Sequence, residues 1–181
     1  MLIKVLSRAE IESDFYLTIR ESSMPHIILS VTSDRTNPVV SIKESTSYKG
    51  ILRFQFDDID VEHKKCLIAN NKSTKYNIFY VEHAKSILSF VNSSIDDIEA
   101  IISHCDAGIS RSSAMAAALS KILNNEDDFF FKNYIPNMLV YTTILNEYYY
   151  NTDRYPNLQG YFYKHLPKGE IFWIIRRNYD W

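Results

Sequence analysis

The sequence lacks the features that mark secreted, membrane-spanning and nucleic-acid-binding proteins. It contains only 2 cysteines in 181 residues, too few for a disulfide framework and a sign of a reducing compartment. No apolar run approaches the length of a membrane span, and MLIKVLSRAEIESDF at the N-terminus lacks the apolar core of a signal peptide. The net charge of −2 gives no support to general nucleic-acid binding, which needs a basic face. We therefore expect a cytoplasmic protein without membrane or nucleic-acid partners.

Disorder is also disfavoured, because the chain is 46% hydrophobic and 23% charged, as globular proteins are. Glycine is scarce, with 4 residues against 13 Tyr and 10 Phe. The length suits one domain with a sizeable core, and no repeat or low-complexity linker interrupts it.

Apolar periodicity predicts alternating strands and helices along the chain. Strands are predicted for Leu2 to Leu6, for His26 to Val31 and around Leu52 to Phe56. Helices are predicted after a Ser7–Glu10 capping box with apolar Ile11, Phe15 and Ile19, from Tyr76 onward, and after Ser112. A last helix begins near Pro136, with Met138, Tyr141, Leu145, Tyr148 and Tyr149 as its predicted apolar face.

The most informative stretch is IEAIISHCDAGISRSS, from Ile98 to Ser113, where an apolar strand runs through a short loop into a helix. Loop amides and a helix N-terminus make a socket for a doubly charged oxyanion. Cys105 at its floor shares the positive field, which favours a nucleophilic thiolate. Arg111 offers a planar fork for two oxygens, and Ser112 can donate to the sulfur when it leaves. We expect Gly108 to allow a turn where a Cβ would obstruct the anion.

The segment HCDAGISRS resembles the HC-x5-R-S signature of the cysteine-dependent protein tyrosine phosphatases, most closely the dual-specificity branch and its compact bacterial relatives. The resemblance implies an α/β fold with a central, mainly parallel sheet flanked by helices. It also implies phosphomonoester hydrolysis through a phosphocysteine intermediate, with His104 supporting the site and with no metal or other cofactor. The implied phosphate-binding residues are Asp106, Ala107, Gly108, Ile109, Ser110 and Arg111.

The leaving oxygen of a phosphate ester needs a proton, which a positioned carboxylic acid supplies. The resemblance places this acid upstream of the cysteine strand, where the segment FDDIDVEH holds Asp57, Asp58 and Asp60. All three qualify by position. We prefer Asp58, because the pattern from Phe56 to Ile59 looks like that of the compact bacterial members.

Three further features lie outside the signature. Asn137 resembles the asparagine that supports the phosphate loop in dual-specificity phosphatases, although a capping role explains it equally well. Cys66 has no second ligand at metal spacing, so we interpret it as a small buried apolar residue. We expect a catalytic domain over residues 1–150 and a C-terminal extension over 151–181 that packs on or continues it.

Two alternatives to a phosphatase remain open from the sequence. A phosphate-reading pseudophosphatase would bind phosphorylated partners without turnover, and intact Cys105, Arg111 and Ser112 argue against it. Sulfur transfer or arsenate reduction has poor support, because arsenate reduction usually needs more cysteines than Cys66 adds. The loop has no Lys, and Asp106 would repel highly anionic ligands that it faces. This favours a phosphorylated protein substrate, carrying phosphotyrosine or phosphoserine/threonine; the oligomeric state is unknown.

Overall fold

The computed structural model describes residues 1–33, 40–42 and 45–165. It contains the parallel strands β1 (Leu2–Ser7), β2 (His26–Thr32), β3 (Tyr48–Gln55) and β4 (Ala100–Cys105). They form one sheet in the order β1-β4-β2-β3. The predicted α/β class with a parallel sheet is confirmed. Since β4 lies between β1 and β2, its last residue stands inside the carboxyl edge of the sheet, where parallel α/β proteins bind ligands.

Helices cover both faces of this sheet. They are α1 (Arg8–Glu12), α2 (Phe15–Thr18), α3 (Arg20–Ser23), α4 (Val61–Ala69), α5 (Val81–Ser94), α6 (Arg111–Asn124), α7 (Asp128–Asn133), α8 (Met138–Tyr150) and α9 (Pro156–His165). The larger core joins Ile27 and Ile101 of the sheet to α5, α6, α8 and α9. A smaller core on the alternate strand positions joins Ile28 and Ile102 to α1 and α2. None of these helices is long and apolar enough to span a membrane.

Helix α6 runs through the middle of the protein, and it begins at the end of the signature loop. Twelve of its side chains are buried, including the run Ala116, Ala117 and Ala118. Small side chains let a helix approach its neighbours closely. The helix ends at Asn125, which adopts the left-handed conformation with φ 56°. The first turn of α6 is therefore held firmly against the sheet.

The predicted strands are all found, but several helices differ from the sequence prediction. The capping box of Ser7 and Glu10 is present, yet the segment that follows forms three short helices instead of one. Phe15 is exposed as a result. Tyr76 lies five residues before the start of α5, because the chain stays extended through Phe79, which is buried.

The predicted apolar face of the last strong helix is wrong in part. Met138 and Tyr149 are exposed, and α8 buries Leu139, Val140 and Ile144 instead. Aromatic residues are spread around this helix, so hydrophobicity alone did not identify the inward face. Helices α4, α7 and α9 were not predicted, because their sequences are polar or short.

The C-terminal segment packs on the same core as far as the structure describes it. Leu158 of α9 is fully buried, and Asn157 donates its backbone and side-chain N–H groups to Asn92 of α5. Buried Glu147 accepts hydrogen bonds from Tyr155 and Arg154. The predicted division at residue 150 stays a prediction. The apolar GEIFWIIRR segment lies outside the described residues.

Candidate active site

The ends of all four strands meet around the signature loop. Ser7 at the end of β1 pairs in register with Cys105 at the end of β4. The ends of β2 and β3 contribute Thr32 and, just beyond β3, the carbonyl of Phe56. This follows from the parallel topology, which brings the carboxyl ends of the strands to one edge. The structure thus brings the sequence-predicted loop to the edge where a ligand site is expected.

The Cys105 thiol lies at the floor of the loop and is 2% exposed. The Gly108 N–H donates to its Sγ over 3.3 Å, and the Ser112 hydroxyl lies 3.1 Å from the same atom. The first turn of α6 begins directly after the loop, and the amides of a helix's first turn, which lack intrahelical partners, point toward the residues that precede the helix. N–H and O–H donors around sulfur stabilise the thiolate, which is the nucleophilic form.

Gly108 is required by the loop for a reason that the sequence did not indicate. Its φ is +70°, and a Cβ built there would lie 2.6 Å from the backbone nitrogen of Ser7 and 2.9 Å from the carbonyl carbon of Leu6. A side chain at this position would therefore collide with the end of β1, and the predicted obstruction of an anion stays a prediction. A larger residue would push the loop off the strand and move the donor that reaches Cys105.

Arg111 is 4% exposed and fixed at both ends of its fork. One terminal nitrogen donates to the Phe56 carbonyl over 2.7 Å, and the other donates to Asp106 over 2.7 Å. Its buried Nε has no hydrogen-bond partner among the described residues. A buried, unpaired N–H costs roughly 1–3 kcal/mol, which an anionic ligand oxygen would recover.

Asp106 holds the guanidinium in place. Its carboxylate accepts hydrogen bonds from Arg111, from the Thr32 hydroxyl, and from the backbone N–H and hydroxyl of Ser33. Burial opposes ionisation of this carboxyl group, but the Ser33, Arg111 and Thr32 donors outweigh it and lower the Asp106 pKa to about 2. The side chain therefore faces arginine, so any direct role of Asp106 in phosphate binding falls to its backbone.

The three candidate acids have different surroundings. Asp60 caps α4 by accepting the His63 N–H, and Asp57 accepts the Asn77 N–H. Asp58 instead turns toward the loop, where one of its oxygens accepts from the Ser110 hydroxyl over 2.9 Å. Asp58 is exposed, so a substrate can reach it. This geometry supports the preference for Asp58 as the acid.

Asn137 makes a capping contact and contacts with the signature loop. Its side-chain oxygen caps α8 by accepting the Val140 N–H, and its amide nitrogen donates to Asp58 over 2.7 Å. Its backbone N–H donates to the Ser110 carbonyl over 3.2 Å. Asn137 therefore connects the signature loop, Asp58 and a core helix.

His104 lies behind the loop, fully buried, and neither ring nitrogen has a hydrogen-bond partner among the described residues. Burial disfavours the charged ring, and the positive charge of Arg53 acts in the same direction. Together they lower the His104 pKa to about 4, despite the opposing influence of Asp106. His104 is therefore neutral at physiological pH.

The His104 pKa predicts a loss of stability in mild acid. The unfolded chain takes up the proton near pH 6.5, and the folded protein does so only near pH 4, so unfolding binds a proton between these values. On acidification from pH 7 to 5, we expect the free energy of unfolding to fall by about 2 kcal/mol more in the wild type than in His104→Gln. Urea unfolding at both pH values measures this difference. Exposed His63→Gln is the control, and an equal pH response in His104→Gln and the wild type would contradict the assignment.

The two cysteines occupy contrasting environments, and the prediction of a buried Cys66 is wrong. Cys66 is exposed on α4, because that helix buries only Leu67. Its thiol is accessible to alkylating reagents, so labelling experiments on Cys105 need a Cys66→Ser background.

Sequence reasoning missed the partners of Arg111 and Asp106. Thr32, Ser33 and the Phe56 carbonyl carry no local motif, since a carbonyl can come from any residue and hydroxyl residues are common after strands. Only the order of strands in the sheet places these groups beside the loop. They could have been found only if the sequence had indicated that β2 and β3 run parallel to β4.

The parallel sheet carries the signature loop between β4 and α6, which is the α/β arrangement that the sequence predicted. No protein-family model and no curated protein sequence matches the chain.

Three solved structures are similar to the chain. A crystal structure of PTPMT1 aligns over 84% of this chain and 93% of that one, with 12% identity and a TM-score of 0.47. The human tyrosine phosphatase-like serine/threonine/tyrosine-interacting protein aligns over 82% and 91%, with 17% identity and a TM-score of 0.49. Tk-PTP in its active form aligns over 92% and 94%, with 10% identity and a TM-score of 0.37.

Proposed function

We propose that this chain is a protein phosphatase that hydrolyses phosphomonoesters through a covalent phosphocysteine at Cys105. One observation carries the proposal: the buried Cys105 thiol accepts a loop N–H, and the clamped Arg111 of the same loop has a buried Nε without a partner among the described residues. A tetrahedral phosphate bound in the loop would accept a hydrogen bond from the Arg111 Nε–H and place its phosphorus in front of the Cys105 sulfur.

The chemistry uses groups that the chain itself supplies. The Cys105 thiolate attacks phosphorus, the bond to the ester oxygen breaks, and Asp58 gives its proton to that oxygen. Water then attacks the phosphocysteine, Asp58 takes the proton, and the Ser112 hydroxyl donates to the departing sulfur. Loop amides and Arg111 hold the remaining oxygens throughout. A nucleophile of this kind survives best in a reducing compartment such as the cytoplasm.

Exposed apolar side chains near the loop favour a phosphorylated protein as the substrate. Ile109 is 48% exposed in the loop itself, and Ile135 and Met138 are 75% and 42% exposed. Ile135 and Met138 are close to Asn137 in sequence, and the Asn137 N–H donates to the Ser110 carbonyl, which brings this segment to the loop. Apolar side chains next to a phosphate site suit the residues that flank a phosphotyrosine or phosphoserine/threonine. The loop has no lysine for the extra charges of a polyphosphorylated small molecule.

Replacing Arg111 with lysine tests the binding half of this proposal. We expect Arg111→Lys to lower kcat/KM for a phosphotyrosine peptide about a hundredfold, because a point charge cannot hold two phosphate oxygens and the clamp together. Arg154→Lys is the matched control, because Arg154 is an exposed arginine that pairs with Glu147. This variant should keep wild-type activity. Full activity in Arg111→Lys would contradict the assigned role. Phosphopeptide binding by the wild type without any turnover would instead identify a pseudophosphatase.

A further inference from the structure

A single oxygen of Asp58 accepts two hydrogen bonds from groups that belong to different segments. The Ser110 hydroxyl donates to Oδ1 over 2.9 Å, and the Asn137 side-chain amide donates to the same atom over 2.7 Å. Ser110 immediately precedes α6, Asn137 immediately precedes α8, and Asp58 lies between β3 and α4. The backbone bond between Asn137 and Ser110 closes the triangle.

Capping of α8 does not account for this contact. The cap uses Oδ1 of Asn137, which accepts the Val140 N–H over 3.2 Å. The bond to Asp58 uses the opposite end of the amide, Nδ2, which also donates to the Ile59 carbonyl over 3.1 Å. Asn137 is 5% exposed, so its amide is shielded from water, and its bond to the exposed Asp58 is partly buried. Two separable roles therefore reside on two atoms of one residue.

We propose that Ser110 and Asn137 are positioning residues for the general acid, an inference that rests on the proposed function. Two donors fill the lone pairs of Oδ1, so the proton that Asp58 transfers resides on Oδ2. The same bonds tie the acid to the loop that holds the phosphate, which fixes the distance from the Oδ2 proton to the ester oxygen. Ser110 acts in this scheme on the acid and not on the phosphate.

Replacing Asn137 with serine separates the tether from the cap. Serine keeps an oxygen that can cap α8, and it lacks the amide that reaches Asp58. We expect Asn137→Ser to lower kcat about tenfold for phosphotyrosine, since misplacing an acid loses part of its effect. Turnover of an aryl phosphate whose leaving group needs no proton should change less than twofold. Ser110→Ala removes only the hydroxyl that reaches Asp58 and keeps the backbone N–H of the loop, so kcat for phosphotyrosine should fall more than turnover of the aryl phosphate.

Two controls distinguish positioning from a general structural role. Ser113 also braces the loop, through hydrogen bonds to the Ile109 and Ser110 carbonyls. Ser113→Ala should therefore affect both substrates equally. In an Asp58→Asn background, Asn137→Ser should cause no further loss on phosphotyrosine, because no acid is left to position. Urea unfolding of each variant confirms that it folds.

The outcomes separate this inference from the proposed function. A tenfold loss in Asn137→Ser that is equal for both substrates, or that persists undiminished in the Asp58→Asn background, would overturn the positioning role. Either result would leave the phosphatase function intact. Absence of turnover in the wild type, or full turnover in Cys105→Ser, would overturn the function itself and the inference with it.

Discussion

Replacing Cys105 with serine is expected to lower kcat by roughly 10⁴-fold or more, which is the scale seen when an enzyme loses its nucleophile. The hydroxyl of serine is far less nucleophilic than a thiolate. Among the described residues, the groups hydrogen-bonded to Cys105 Sγ are the Gly108 N–H and the Ser112 hydroxyl, and neither is a general base. The socket remains, because Phe56 and Asp106 hold Arg111 and a serine oxygen can still accept the Gly108 N–H. Binding of vanadate or phosphate should therefore change little, and isothermal titration measures it alongside the rate.

The second cysteine provides the matched control for this experiment. Cys66 is exposed on α4 and makes no contact with the loop residues through its thiol in the described structure. Cys66→Ser should retain wild-type kcat/KM. Comparable losses in Cys66→Ser and Cys105→Ser would show that the effect comes from general damage and would remove the support for a nucleophilic Cys105.

Replacing Asp58 with asparagine is expected to lower kcat for phosphotyrosine about a hundredfold, within the usual range for a lost general acid. Asparagine keeps an oxygen for the Ser110 and Asn137 donors, so the loop geometry should persist. The loss should shrink as the leaving group becomes a better one, because such a group departs without a proton. Steady-state rates on a series of aryl phosphates give this dependence directly.

The neighbouring acids serve as internal controls for Asp58. Asp60→Asn should be nearly neutral, since asparagine caps a helix as well as aspartate does. Asp57→Asn should leave kcat unchanged, because asparagine also has a side-chain oxygen that can accept the Asn77 N–H. If Asp57→Asn gave the leaving-group-dependent loss and Asp58→Asn did not, the acid would be misassigned by one residue.

The contacts between residues close in sequence could be predicted from the sequence. Loop, strand and helix follow one another within the segment from Ile98 to Ser113, so the placement of Cys105 beside Gly108 and Ser112 follows from local geometry. The capping box of Ser7 and Glu10 is likewise a pattern within four residues.

The parts that it could not predict depend on distant segments. The clamp on Arg111 joins Phe56 and Asp106, and Asp106 in turn binds the end of β2. The reason for Gly108 lies in β1, about a hundred residues earlier in the chain. Such contacts are set by the order of strands in the sheet, which no local pattern encodes. The predicted apolar face of α8 was wrong in part for a related reason, since aromatic residues lie all around this helix and only packing determines which are buried.

The most direct test of the phosphocysteine mechanism is to trap the intermediate in the Asp58→Asn variant. An aryl phosphate with a good leaving group should phosphorylate Cys105 without the acid, and hydrolysis should then be slow because the base that activates water is missing. After rapid acid quench, mass spectrometry of the peptide that contains Cys105 should show a phosphoryl group on that residue, and the Cys105→Ser protein should show none. Product release with no phosphoryl group on Cys105, or with the group on another residue, would contradict the mechanism.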